Sequence, residues 1–306
     1  MRDSFIKTIY DVAKENDKVF LLVGDIGGYL LRNFSKDFPK RFFNLGIAEA
    51  NMMGVAAGLA MSGKIPFVYT ITPFATARCY DQIRVDVCYQ NSNVKIIGVG
   101  SGISYSTAGS THHSLEDIAI MRALPNMIVI SPADPLETQE AIRAAVKHKG
   151  PVYVRLALAT EPLNYEKVNQ YEIGKARLMK DGDDVGIIAA GELVGCALKA
   201  ASQLEIEGVR CRVINMHTIK PIDKEVIKKA IKDNKAVVTV EEHSIIGGLG
   251  SAVAEVIAEE KGNKVLFKRL GVKDVFCKDY GSKDYLLEQC GLSVAAIVKE
   301  VKILLS

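Results

Sequence analysis

Three stretches of this 306-residue chain gather side chains suited to acid–base and carbonyl chemistry: NLGIAEANMMG at 44–54, TITPFATARCYDQIR at 70–84 and GVGSGISYSTAGSTHHSLED at 98–117. Glu49 opens an apolar helical run. A carboxyl there either rests against the helix dipole or exchanges a proton with a ligand at the helix start. His112 and His113 close a glycine-rich loop. Loop imidazoles can donate to a carbonyl or alkoxide oxygen, or simply be satisfied by backbone.

Other catalytic patterns are missing. The glycines around Ser101 lack GxSxG spacing, and neither HExxH nor GxxxxGK[ST] occurs. GGLGSAVAEV at 247–256 opens a helix without GxGxxG spacing, so close helix–strand packing is the stronger reading than a phosphate cradle. Six cysteines, Cys79, Cys88, Cys196, Cys211, Cys277 and Cys290, include no CxxC pair; buried free thiols are expected, with no metal site.

The elements that must position these loops are short β-branched runs alternating with amphipathic stretches, the pattern of a parallel sheet covered on both faces. Strands are expected at 19–25, 65–71, 94–100, 126–131 and 152–157, with helices at 2–15, 49–62, 75–90, 114–123 and 135–148. A second series has strands at 185–190, 210–215, 236–241 and 265–270, and helices at 193–206, 223–233, 249–260 and 292–304. The fold class is therefore α/β, as two doubly wound domains: 1–158, a polar linker at 159–180, and a smaller, mostly parallel domain at 181–306. In a parallel sheet, ligands gather at the carboxyl ends of the strands, where all three chemical stretches would lie.

Composition narrows the partners. The chain is 48% hydrophobic and 25% charged, and 39 Lys+Arg against 36 Asp+Glu leave a net charge of +3. That is too little to drive nucleic-acid binding. The lysine-rich 220–235 has apolar residues at helical spacing, the signature of a solvated helix face. No run reaches the roughly 20 apolar residues that a membrane crossing needs, and MRDSFIKTIYDVAKEN reads as an amphipathic helix, so a cytoplasmic location is expected.

The ordered set of GIAE opening a helix, PFATARCYDQIR, a glycine loop ending in GSTH, LPNMIVISPADPLE, GPVYVRL, IKPID and EEHSIIGGLGSAVAE resembles transketolase over nearly the whole chain. More narrowly, it resembles the C-terminal half of a thiamine diphosphate enzyme, its pyrimidine-binding domain plus C-terminal domain. The family's diphosphate-binding motif, GDG followed by Asn, has no counterpart; the nearest run, Lys180–Asp184, lacks the continuation. The resemblance thus implies one subunit of a split enzyme. A separate N-terminal subunit would carry the GDG…N motif and hold Mg²⁺, and a self-dimer of this chain would join it in an α2β2 heterotetramer.

Residue by residue, the resemblance makes Glu49 the carboxyl that bonds N1′ of the aminopyrimidine, favouring the imino tautomer that deprotonates the thiazolium C2. Ile71 stands where most members have the Phe that stacks on the pyrimidine, leaving Phe74 as the main aromatic neighbour. Asp25 matches a strand-end aspartate of the cofactor site, with a turn cap as its structural alternative. His112 matches the histidine of GPTH that reaches the sugar's carbonyl and hydroxyls, and His113 stands where many relatives have Gln. Tyr29 occupies the region of a phosphate-binding Ser, and no His or Arg precedes His112 in the loop. Arg155 in GPVYVRL survives as an anion ligand, with a salt-bridge partner as its structural alternative, while the acceptor-reading aspartate is Ala108.

These residues imply two-carbon ketol transfer from a ketose to an aldose, with a sugar lacking the usual terminal phosphate as candidate. The alternatives are the β subunit of a 2-oxoacid dehydrogenase, which shares the architecture, and a non-catalytic paralogue acting as a scaffold.

Overall fold

Residues 1–163 and 171–306 are described by the computed structural model. The first half runs α1 (Arg2–Glu15), β1 (Val19–Val23), α2 (Arg32–Asp37), β2 (Phe42–Asn44), α3 (Glu49–Met61), β3 (Ile65–Ile71), α4 (Thr72–Thr76), α5 (Tyr80–Gln82), β4 (Lys95–Val99), α6 (Asp117–Ala123), β5 (Ile128–Ile130), α7 (Pro135–Lys147) and β6 (Val152–Leu156). The second half contains β7 (Arg177–Lys180), β8 (Val185–Ala189), α8 (Leu193–Ile206), β9 (Cys211–Asn215), β10 (Thr218–Lys220), α9 (Lys224–Asp233), β11 (Ala236–Ser244), α10 (Leu249–Glu259), β12 (Leu266–Val272), α11 (Lys283–Gln289) and α12 (Val294–Leu305).

Two sheets result, one of seven strands in the order β10-β5-β6-β4-β3-β1-β2 and one of five in the order β12-β11-β8-β9-β7. All pairings are parallel except β10 with β5 and β7 with β9. β4, β6, β8 and β9 are buried at every position, because helices cover both faces of each sheet and no strand side is left for water. Phe5, Ile9 and Val12 of α1 recur at helical spacing and are buried in the first domain's core. Each such side chain contributes roughly 1.5–3 kcal/mol by leaving water.

Four local expectations need correction. The helix read at 75–90 is broken into α4, α5 and a π-helical turn at Ile83–Tyr89. Cys79 leaves helical geometry, and its thiol donates to the Phe74 and Ala75 carbonyls that the break exposes. The helix read at 114–123 begins only at Asp117, because Ser114 and Leu115 are drawn into backbone bonds with Gly102 and Ser244. Part of the polar stretch at 159–180 is a strand, β7, on the edge of the second sheet, whereas 164–170 lie outside the described residues. Finally, β10 leaves the second half to join the first sheet, Thr218 facing Ile130.

Cys79, Cys88 and Cys211 are buried free thiols, while Cys196, Cys277 and Cys290 are half-buried rather than core. Among the described residues, no helix is long and apolar enough to cross a membrane.

Candidate active site

The carboxyl ends of β1, β3 and β4 lie side by side, since Val23 pairs with Tyr69 and Ile71 with Val99. The start of α3 delivers Glu49 onto this edge, and the side chain is only 1% exposed. Gly24, just after β1, is the reason it fits: a Cβ there would lie 3.0 Å from Thr70 Oγ1 and 3.3 Å from Glu49 Oε1. Gly98 similarly lets Thr72 and α4 cross over β4, with 3.0 Å to Thr72 Oγ1.

Glu49 has two side-chain contacts. Thr70 Oγ1 stands 3.5 Å from Oε1, at the limit of a hydrogen bond, and Arg78 Nη1 donates to Oε2 at 2.7 Å. The Arg78 guanidinium also covers the Phe74 ring, 3.9 Å from its centroid. Phe74 meets the edge of His112 at 5.4 Å between centroids, and His112 meets Tyr105 at 6.0 Å. Glu49, Arg78, Phe74 and His112 thus form one continuous constellation, with half-buried Ile71 at the β3 end as an aliphatic neighbour in sequence.

His112 is placed by the glycine loop, and the loop by the second domain. Glu242 Oε1 accepts from the Ile103 N–H at 2.7 Å, Ser110 Oγ donates to the Cys277 carbonyl at 2.6 Å, and the Ser244 N–H donates to the Leu115 carbonyl at 2.8 Å. Gly102 has φ +61° and Gly109 φ +77°; a Cβ would strike the Glu242 carboxyl at 2.3 Å and Tyr280 at 2.7 Å respectively. Within the loop, Thr111 Oγ1 and His112 Nδ1 share a hydrogen bond of 2.9 Å.

Glu242 shares Lys283 with Glu192. Burial drives Glu192 far above the ordinary carboxyl range, and the neighbouring Glu242 charge adds to this. Burial also opposes ionisation of Glu242, but Lys283 and the hydrogen bond with Glu192 outweigh it and hold Glu242 below its ordinary value. The loop is therefore anchored on the Glu242 carboxyl.

The other expected site residues are distributed unevenly. Asp25 is exposed, takes φ 52°, and exchanges hydrogen bonds with Asn44: its N–H donates to Oδ1 at 3.1 Å and its Oδ1 accepts from Nδ2 at 3.2 Å. It locks the turn after β1. Tyr29 sits on a short 3₁₀ turn, 84% exposed. His113 is buried behind His112, and burial pushes its pKa down. It lines a cleft of about 380 Å³ with Ser110, Lys273 and Phe276, and Glu49 is not part of that cleft.

Arg155 takes up the salt-bridge alternative. It is 4% exposed, its Nε donates to Asp117 Oδ2 at 2.7 Å, and its Nη2 donates to the Ser114 and Glu242 carbonyls at 3.1 and 2.8 Å. Burial alone would raise the pKa of Asp117, but Arg155, His243 and the Tyr153 hydroxyl hold it below the usual range. An arginine so committed fastens the loop to both domains.

Reading the sequence missed Arg78 and Glu242. Arg78 stood within the quoted FATAR run, yet the expectation of an unbroken helix hid its turn toward Glu49. Glu242 lies 139 residues from Ile103, and no local pattern joins them.

The residues present suit an aminopyrimidine: a buried carboxyl, a glycine that leaves space beside it, and an aromatic ring. Among the described residues, no three His, Cys, Asp or Glu side chains gather at metal-ligand spacing.

Comparison with known proteins agrees with this geometry. Residues 1–158 match the transketolase pyrimidine-binding domain, and residues 174–297 match the transketolase C-terminal domain. A Methanocaldococcus jannaschii protein provisionally named a transketolase C-terminal section is 46% identical, over 98% of this chain and 95% of its own length. A 6-deoxy-6-sulfo-D-fructose transketolase subunit of a Clostridium species is 40% identical over 98% of this chain and 92% of its own. Among solved structures, a split-gene transketolase in an inactive β4 tetramer superposes with a TM-score of 0.89 at 42% identity, covering 99% of this chain and 97% of that one.

Proposed function

The chain belongs to the transketolase family, as the C-terminal subunit of a split transferase, and from that premise we propose the roles of its residues. Thiamine diphosphate, when bound, supplies the thiazolium carbon that accepts the two-carbon ketol unit. Glu49 holds a proton against N1′ of the aminopyrimidine; its near-complete burial keeps water from competing for that bond. Gly24 leaves the space for it. His112, on its braced loop, donates to the substrate oxygen that gains negative charge during carbon–carbon bond formation. Phe74 and Ile71 line the pyrimidine, and Asp25 fixes the turn beneath it.

The diphosphate and its Mg²⁺ fall to an N-terminal partner, and two copies of each subunit assemble as an α2β2 heterotetramer in the cytoplasm. Ile47, two residues before Glu49, is 74% exposed and supports a subunit contact at this edge. The solved relative's inactive β4 state supports the need for a partner. With Arg155 withdrawn and Tyr29 in place of a serine, the substrate we favour is a sugar without the usual terminal phosphate; of the relatives, one carries a sulfo-sugar name and another of equal identity a sugar-phosphate name.

The observation that carries the reading is the buried Glu49 at the joined ends of β1 and β3. The test is reconstitution: the chain with its N-terminal partner, thiamine diphosphate and Mg²⁺ transfers a ketol unit from a ketose to an aldose, and the chain alone does not. Decarboxylation of a 2-oxoacid with acyl transfer to lipoamide, or no transfer by a complex that binds the cofactor, would contradict it.

A further inference from the structure

Arg78 occupies both contacts that the proposed role of this site assigns to the aminopyrimidine. Its guanidinium is a flat, delocalised cation with N–H donors at its rim. One donor is on Glu49 Oε2 at 2.7 Å, and the flat group lies over Phe74, 3.9 Å from the ring centroid. An aminopyrimidine is likewise flat and must meet the same carboxyl at its edge and an apolar or aromatic wall at its side. Thr70, 3.5 Å away, is the other side-chain neighbour within bonding reach of Glu49 among the described residues.

We infer that Arg78 is an internal competitor of the cofactor: the guanidinium must leave Glu49 and Phe74 for the aminopyrimidine to seat. The surroundings permit this movement. The Arg78 side chain is 40% exposed, so withdrawal returns its charge to water rather than burying it. It also lies at the break between α4 and α5, where the chain is not held by a continuous helix. The inference rests on Glu49 being the cofactor's carboxyl, as proposed above.

A competitor tethered to its own seat lowers the apparent affinity of the ligand by the fraction of molecules in which the seat is taken. A half-exposed ion pair and a cation–π contact each shift such an equilibrium by at most about fivefold. In the reconstituted complex with Mg²⁺, the thiamine diphosphate dissociation constant, read by calorimetry, therefore falls roughly threefold to tenfold in Arg78→Ala. Arg78→Lys, which keeps the charge and loses the flat face, lies between Arg78→Ala and wild type.

Glu49→Gln separates the two ideas, because the neutral amide loses the ion pair with Arg78 and keeps at most a weaker hydrogen bond. Adding Arg78→Ala to Glu49→Gln gains less than Arg78→Ala alone gains in wild type. Equal or weaker cofactor binding in Arg78→Ala would overturn the inference and make Arg78 a ligand or a bystander. The Glu49 reading is judged apart from this: it fails if Glu49→Gln exchanges the cofactor's C2 proton at the wild-type rate.

Discussion

Glu49 and His112 are linked through Arg78 and Phe74, yet different parts of the molecule hold them. The Glu49 end is local to the first sheet: β1, β3 and the start of α3 bring Gly24, Thr70 and Glu49 together through neighbouring strand ends. The His112 end is a loop whose shape is imposed from the second domain, through Glu242 on Ile103, Cys277 on Ser110 and Ser244 on Leu115. Arg155 reinforces that seam, bonding Asp117, Ser114 and Glu242 at once. The Glu49 end of the site therefore needs one domain, and the His112 end needs two.

Substitutions can separate these halves. His112→Ala should lower kcat by about 10²–10³-fold, the usual cost of losing a donor to a developing oxyanion, while cofactor affinity stays within twofold of wild type. A parallel loss of affinity would show that the two halves are not separable.

Gly24→Ala attacks the other half. Its methyl group meets Thr70 and Glu49 at 3.0–3.3 Å, so one of them must shift, at a cost of about 1–3 kcal/mol. Cofactor titration should show roughly tenfold weaker binding at unchanged affinity for the acceptor sugar.

Glu242→Ala leaves the buried Ile103 N–H without its acceptor, which costs about 1–3 kcal/mol in urea unfolding. Turnover should fall as well, because the loop loses its anchor, and cofactor affinity should hold.

A further effect concerns pH. Burial pushes the His243 pKa down to about 4 from 6.5, and its Nε2 faces the Ala119 N–H at 3.4 Å, an acceptor role that only the neutral ring can fill. The folded value lies below the unfolded one, so this stability is complete above about pH 6.5 and is lost as pH falls toward 4. His243→Gln should shrink the acid-side loss by up to about 2–3 kcal/mol in unfolding measured from pH 7 to 4. An unchanged acid limb would remove His243 from the seam.

The same division governs how much the sequence disclosed. Most of the expected strands match observed ones within a few residues, because doubly covered parallel strands are continuous apolar runs that stand out from their polar ends. Glu49 was legible for a related reason, as the acidic start of an apolar helix inside a recognisable motif. What escaped was set by distant contacts. Arg155 looks like a free arginine in VYVRL until Asp117 and the second domain enclose it. The three residues of β10 carry no pattern long enough to reveal that they pair with β5. The break at Cys79 lies in a segment whose apolar spacing alone favours one helix, and the thiol bonds that stabilise the break appear only in three dimensions.

The most direct test of the account compares Glu49→Gln with Glu242→Ala in one measurement: deuterium exchange at the cofactor's C2, in the complex reconstituted with the N-terminal partner. Glu49→Gln should slow exchange by about 10²–10⁴-fold, the range of a lost acid–base group, while Glu242→Ala exchanges at the wild-type rate. Wild-type exchange in Glu49→Gln, or an equal slowing in both variants, would contradict the assignment of proton chemistry to the first domain alone.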